Sequence, residues 1–189
     1  GSSDHTREVV EEASRKDGRI KYITPGNVGM LENFEYALNH ISSGYLLALG
    51  GDDGLLPYAI RDINKIIVET GTEIVSWSTP NYCYQGTKMQ TAQLVLNTKW
   101  GKPITDRRII NSKEFLKRQA KELQYVFDKE SPMFYVQAAV ATSLIDKVKA
   151  RTEGRKFYSC ACPDGYSGIV LAGEVEQYIH SDTPFTIDG

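Results

Sequence analysis

The sequence predicts an α/β fold, an open Rossmann-like sheet with helices on both faces, and three observations carry that prediction. Helix-periodic stretches alternate with short β-rich runs in the first part of the chain, giving the order α-β-α-β-α-β. The run at residues 45–49 is continuously apolar and bounded by glycines, which suits a strand buried on both faces of a parallel sheet. With 189 residues, 41% of them apolar and 24% charged, the chain has the composition of one compact domain spanning 1–189.

The elements follow in order. Residues 5–17 are rich in helix formers, with Val9, Val10 and Ala13 on one face, Asp4 or Thr6 as cap, and Asp17-Gly18 as the stop. Residues 20–23 form a short β-rich run that enters the turn Pro25-Gly26-Asn27. From 29 to 43 the residues Met30, Leu31, Phe34, Ala37, Leu38 and Ile41 keep a helical period, ended by Ser42-Ser43-Gly44. After the apolar run, Pro57 suits the first turn of a helix over 58–69, and 73–77 is the next strand. Residues 81–108 lose the alternation and predict a hairpin or excursion with a β-like run at 92–96. Asn111 caps a helix to about Leu123; 134–141 is a strand or a helix start; 143–150 is helical. Pro163 opens a helix to Gly173, and 176–179 and 185–187 resemble short strands.

Several function classes are disfavoured by composition. The net charge of -2 provides no bulk positive field for a nucleic-acid partner. Three cysteines, Cys83, Cys160 and Cys162, are too few and too unevenly placed for a disulfide framework and point to a reducing, cytoplasmic setting. Cys160 and Cys162 lack the further ligands of a thiolate metal site and read as buried free thiols. No apolar run approaches the roughly 18 residues that cross a bilayer. Both ends of the chain look cut.

The chemistry-bearing segment is Leu49-Gly50-Gly51-Asp52-Asp53. In an open α/β sheet, ligands bind beyond the carboxyl ends of strands, which is where Asp52 and Asp53 fall. Paired carboxylates are hard ligands of the kind Mg²⁺ or Mn²⁺ takes when phosphate oxygens and waters complete its shell. An Asp-Asp-Gly turn needs no ligand to explain it, so the context decides. Asp164 follows the helix-opening Pro163, where the dipole favours a carboxylate; it is either a helix-start acid or a general base. Asn27, Gly29 and Asn33 sit at a strand-to-helix turn whose amides can approach phosphate, although turn and capping duties explain them equally. Arg107-Arg108 reads as a phosphate grip or a solvated pair, and Tyr82, Tyr84 and Trp100 as ligand-stacking or core aromatics. His180, a lone histidine on a β-like stretch, is set aside as a ligand.

A series of spaced matches resembles glycosyltransferase family 2 and its GT-A fold. It runs from Ser2-Ser3-Asp4-His5-Thr6 through Arg19-Ile20-Lys21-Tyr22-Ile23, Asn27-Val28-Gly29, Asn33-Phe34 and Ala37-Leu38 to the strand before the aspartates. The match is good over residues 1–75, weakens over 80–130 and returns at Cys162-Pro163-Asp164-Gly165-Tyr166-Ser167. The resemblance implies a nucleotide-sugar-binding part at 1–78 and an acceptor-side part at 79–189. It implies transfer from a UDP-, dTDP- or GDP-sugar to a saccharide or lipid-linked acceptor, with inversion, in bacterial polysaccharide or glycoconjugate synthesis. Asp52, Asp53, Asn27, Gly29 and Asn33 would contact the donor. Asp53 would be the direct ligand of Mn²⁺ or Mg²⁺, with Asp52 also at the metal and nearer the ribose or sugar, and Asp164 would be the base.

Gly51 stands where the family's metal motif has its first acid, and the family's initial strand and helix are missing, so the fold is expected to be N-terminally truncated. That truncation implies an exposed sheet edge able to pair with a second copy, and relatives of this sort imply peripheral membrane association of a longer protein. Two other readings compete: a GT-A-like fragment or binding module without activity, and a nucleotidyltransferase, disfavoured because no glycine- and basic-rich phosphate loop is visible.

Overall fold

A computed structural model describes residues 4–86, 92–95, 106–122 and 128–189. Ser2, Ser3, Leu96, Trp100 and Leu123, which carry parts of the motifs and elements above, lie outside the described residues. The chain divides into two compact units, Gly1–Ser42 and Ser43–Gly189.

In the first unit, α1 (Thr6–Lys16) starts where the Asp4 carboxylate accepts hydrogen bonds from both the amide and the hydroxyl of Thr6. The guanidinium of Arg7 stacks over the Tyr22 ring, 5.8 Å from its centre. α2 (Met30–Leu38) begins after Gly29. The β-rich run at 20–23 is extended but belongs to no strand. A β-propensity run becomes a strand only when a neighbour completes its ladder, and the described residues of this unit provide none.

The second unit holds the sheet. Its elements are β1 (Tyr45–Leu47), β2 (Gly54–Leu55), α3 (Ala59–Thr70), β3 (Ile74–Trp77), β4 (Asn81–Cys83), β5 (Gln93–Val95), β6 (Arg107–Asn111), α4 (Ser112–Glu122), β7 (Ala138–Ala141), α5 (Thr142–Arg151), α6 (Pro163–Ala172), β8 (Gln177–Ser181) and β9 (Thr186–Ile187). Among the described residues, five strands form one sheet in the order β1-β7-β3-β8-β6, and only its β3–β8 pair is parallel. The expected parallel sheet is therefore mixed. β1 lies at its edge, paired antiparallel with β7, and is buried only at Leu46; the apolar run signalled a strand but not its neighbours. Residues 81–83 and 93–95 form the expected hairpin.

Strand alternation sends successive side chains to opposite faces and so decides which helix covers which. Val75, Trp77, Ala139 and Ile179 share one face, and Ala59, Ile63 and Ile66 of α3 pack on it with Phe185. Burying an isoleucine such as Ile66 fully contributes about 1.5–3 kcal/mol. Tyr178, on the other face, meets Phe115 of α4 edge to face at 6.1 Å. The sheet thus has helices on both sides, as the composition and alternation predict. α3 ends at Gly71, whose φ of +64° lets its amide return to Ile67 O at 2.8 Å. α4 is capped as expected, with Asn111 Oδ1 accepting from the Glu114 amide at 3.0 Å. Among the described residues, no helix is long and apolar enough to cross a membrane.

Candidate active site

The segment after β1 carries Asp52 and Asp53 into β2, and β2 pairs antiparallel with β9, Gly54 opposite Ile187. That register brings Asp188 and Gly189 alongside Asp53. The Asp53 carboxylate accepts from the Gly50 amide (2.5 Å), from the Gly189 amide (3.1 Å) and from the Tyr135 hydroxyl. Asp188 accepts from Asn81 Nδ2 at 2.7 Å, and its backbone is bridged to the start of β4. Tyr84 donates to the Asp52 carbonyl at 3.1 Å and stacks edge to face on Tyr82, their ring centres 4.8 Å apart.

Gly50 sits at the focus of this corner. A Cβ there would collide with Tyr135 Oη and lie 2.9 Å from both Asp52 Oδ1 and Asp53 Oδ2, so only glycine lets the three oxygens converge. Tyr135 is positioned from its other side by Val136, a β-branched residue at φ +51°. Gln137 N donates to Tyr135 O at 2.6 Å, closing a three-residue turn with Val136 at its centre. Such a conformation costs of order 1–3 kcal/mol and persists only where its surroundings fix it. Here the Val136 amide bonds Ala48 O at 2.9 Å, and the Val136 carbonyl accepts from Trp77 Nε1 and Thr186 Oγ1.

The electrostatics follow from crowding of like charge. Burial and then the carboxylates of Asp53, Asp52 and Asp188 push the Tyr135 phenol up to about 12, so it stays protonated and donates. Burial, Asp53 and Asp52 raise Asp188, and the charge of Asp164 adds to the same effect. Asp164, in the first turn of α6, is half-buried, and that burial raises its own carboxyl. Its helix start is tied down by the Ser167 hydroxyl, which donates to Asp164 O at 2.8 Å and accepts from the Phe134 amide.

The structure therefore brings Asp52 and Asp53 together and sets Asp164 within electrostatic reach of the same corner through Asp188. Asn27, Gly29 and Asn33 lie in the first unit, at the entry and first turn of α2. Asp188, Asn81 and Tyr135 were not singled out by sequence. Asp188 follows a two-residue strand whose partner no local pattern names, and Tyr135 depends on a positive φ at a valine. Among the described residues, no group of three or more His, Cys, Asp and Glu side chains is arranged to hold a metal ion.

Other residues raised by sequence have plain structural duties. His180 is fully buried, its ring nitrogens facing Ser76 Oγ (2.9 Å) and Ser78 Oγ (3.4 Å), and burial followed by Arg108 lowers its pKa to about 4. Arg107 pairs with Glu69 at 2.8 Å, and Arg108 with Glu130 and Asp182. All three cysteines are free thiols; Cys160 and Cys162 are exposed rather than buried, on the segment that leads into α6.

Comparison with known proteins adds one positive finding. The family model described as Glycosyl transferase family 2 matches residues 1–139, a span that includes Gly50, Asp52, Asp53 and Tyr135 and stops before Asp164 and Asp188. No curated protein matches. With most of the chain inside that match, and an open α/β sheet delivering two aspartates beyond a strand end, the chain belongs to glycosyl transferase family 2, a family of glycosyltransferases.

Proposed function

We infer that the chain moves a sugar from a nucleotide-diphospho-sugar to an acceptor hydroxyl with inversion at the anomeric carbon. The observation that carries this reading is the convergence of Asp52 and Asp53 over Gly50, beside Asp188, whose carboxyl is raised by burial, by Asp53 and Asp52 and, least, by the charge of Asp164. Two hard carboxylates fit Mg²⁺ or Mn²⁺, which commonly takes only one or two from a protein when substrate phosphates and waters complete its shell. Such an ion, held by Asp52 and Asp53, would offset the charge of a departing diphosphate. The Asp53 carboxylate already accepts three protein hydrogen bonds, whereas Asp52 is exposed and held through its backbone carbonyl, which leaves Asp52 more of its lone pairs for a ligand.

Asp164 is the base in this reading. Its carboxylate takes the acceptor proton as the acceptor oxygen bonds to the anomeric carbon, and the bond from that carbon to the diphosphate oxygen breaks with its electron pair leaving on phosphate. Burial supports the role, because a raised pKa makes a stronger base near neutral pH. Tyr82 and Tyr84 offer aromatic faces beside the corner for a saccharide or lipid-linked acceptor. The reading keeps a cytoplasmic setting and polysaccharide or glycoconjugate synthesis.

The test is a titration of UDP, GDP and dTDP with Mn²⁺ into the full chain, comparing wild type with Asp53→Ala and Asp52→Ala. The expected result is metal-dependent binding of one nucleotide by wild type, weakened in both variants. Equal binding by the variants removes the aspartates from the donor site. A wild type that ignores every nucleotide favours the fragment or binding-module reading, to which Gly51, in the motif's first acidic place, also points.

A further inference from the structure

The geometry points to Tyr135 as a positioning residue of the donor corner, held by a turn that joins the two segments bearing its carboxylates; the inference rests on the functional reading above. Val136 is the joint. Its amide bonds Ala48, two residues before Gly50, and its carbonyl accepts from Thr186, two residues before Asp188. Trp77 Nε1 donates to the same carbonyl at 3.1 Å from the central strand β3. One residue earlier, the Tyr135 hydroxyl reaches Asp53 at the point where the missing Cβ of Gly50 leaves room. The positive φ at Val136 therefore sits where both carboxylate-bearing segments are fastened to the sheet.

The corner needs such a residue because like charges brought together swing apart unless donors hold them. Backbone amides of Gly50 and Gly189 hold the two oxygens of Asp53 from its own chain neighbourhood and from the chain end. Tyr135 brings a side-chain donor to Asp53 from a third segment, as Asn81 does to Asp188, and a phenol orients a carboxylate without adding charge. Removing its hydroxyl leaves the ring and the Val136 joint in place but frees Asp53 to turn away from Asp52.

Tyr135→Phe in the full chain tests this by two measurements. In the ligand-free protein, hydrogen exchange at the Gly50 and Gly189 amides, which both donate to Asp53, is expected to quicken about tenfold while the exchange of Val75 and Ile179 in the sheet is unchanged. In transfer assays, KM for the nucleotide sugar is expected to rise about tenfold with kcat within twofold, the signature of a contact made equally in the ground and transition states. Unchanged exchange at both glycines overturns the positioning role whatever the protein binds. Quickened exchange with unchanged KM, in a protein whose wild type binds nucleotide, overturns it for the donor. If wild type binds no nucleotide, the functional reading fails and the exchange result alone decides for or against Tyr135 as the residue that orients Asp53.

Discussion

Two clusters of acidic side chains in the second unit are built on opposite electrostatic terms. In the first, Asp128, Glu130 and Asp182 are met by cations: Arg118 bonds Asp128 and Glu130, each at 2.8 Å, and Arg108 bonds Glu130 at 2.5 Å and Asp182 at 3.1 Å. In the second, Asp53 is met by two backbone amides and a phenol and Asp188 by a primary amide, and among the described residues Asp52, Asp53, Asp164 and Asp188 make no ion pair. A charge cluster compensated from within has no need of a ligand and holds the chain together. A cluster left uncompensated costs stability, and it is where a cation with a bound diphosphate would recover that cost.

The largest expected effect lies at the uncompensated corner. Asp164→Asn should lower kcat for transfer by about 10²–10⁴, the range for loss of a general base, while leaving nucleotide affinity within twofold. The pH profile carries the sign: the base works ionised, so activity should fall as pH drops through its raised pKa, at higher pH than an ordinary aspartate would give. Wild-type activity in Asp164→Asn would remove it from the mechanism. Gly50→Ala comes next. The added methyl must displace Tyr135 Oη and both aspartate carboxylates, and a misplacement of about 1 Å costs roughly a hundredfold in turnover. Its thermal unfolding should change far less, since Gly50 packs against side-chain ends and not against the core. A variant that loses Tm in proportion to activity would show that the corner belongs to the scaffold.

The contrast also explains what the sequence could say. Helix periods and cap residues are local, so α1, α3, α4 and α6 and the Asn111 cap are legible in consecutive residues. Strand neighbours are not: the apolar run at 45–49 reads equally as a central parallel strand, and only pairing with β7 makes it an edge. The same holds for the site. Asp52, Asp53 and Asp164 stand in local motifs, whereas Asp188 is recruited by the β2–β9 register and Tyr135 by a turn held from three distant segments. Arg107 and Arg108, adjacent and basic, look like a phosphate grip in sequence, yet their partners arrive from residues 69, 130 and 182.

The compensated cluster should respond to substitution in stability alone. Arg118→Met keeps an aliphatic stem but removes the guanidinium that lies over the Phe115 ring, leaving Asp128 without its cation and Glu130 with Arg108 alone. Because Arg118 is 35% exposed, the loss should fall below that of a fully buried pair, at about 1–3 kcal/mol, or roughly 2–10 °C in Tm for a chain of this length. Transfer kinetics at a temperature where both proteins are folded should be unchanged. A fall in kcat would mean that the two clusters communicate.

Opposite pH dependences give the smallest and sharpest comparison. Burial acts to raise Asp128, but Arg118, the Glu130 amide and Gln119 more than offset it, so its folded pKa lies below the ordinary value. Its ionised form therefore stabilises the fold above the unfolded pKa of about 3.9, and that contribution is lost as pH falls through the lower, folded pKa. Asp188 is raised by burial and by Asp53 and Asp52, so the folded state holds its proton more tightly, and the penalty builds as pH rises above the unfolded pKa of about 3.9 and is complete once pH has passed the raised, folded pKa. Asp188→Asn should thus melt at a higher temperature than wild type at pH 7, and Arg118→Met at a lower one, with both differences shrinking as the pH falls below about 4. Melting curves of the two variants and wild type between pH 3 and 8 measure this directly. A lower Tm for Asp188→Asn at pH 7 would show that the Asn81 hydrogen bond to Asp188 outweighs the repulsion, and that the corner is compensated after all.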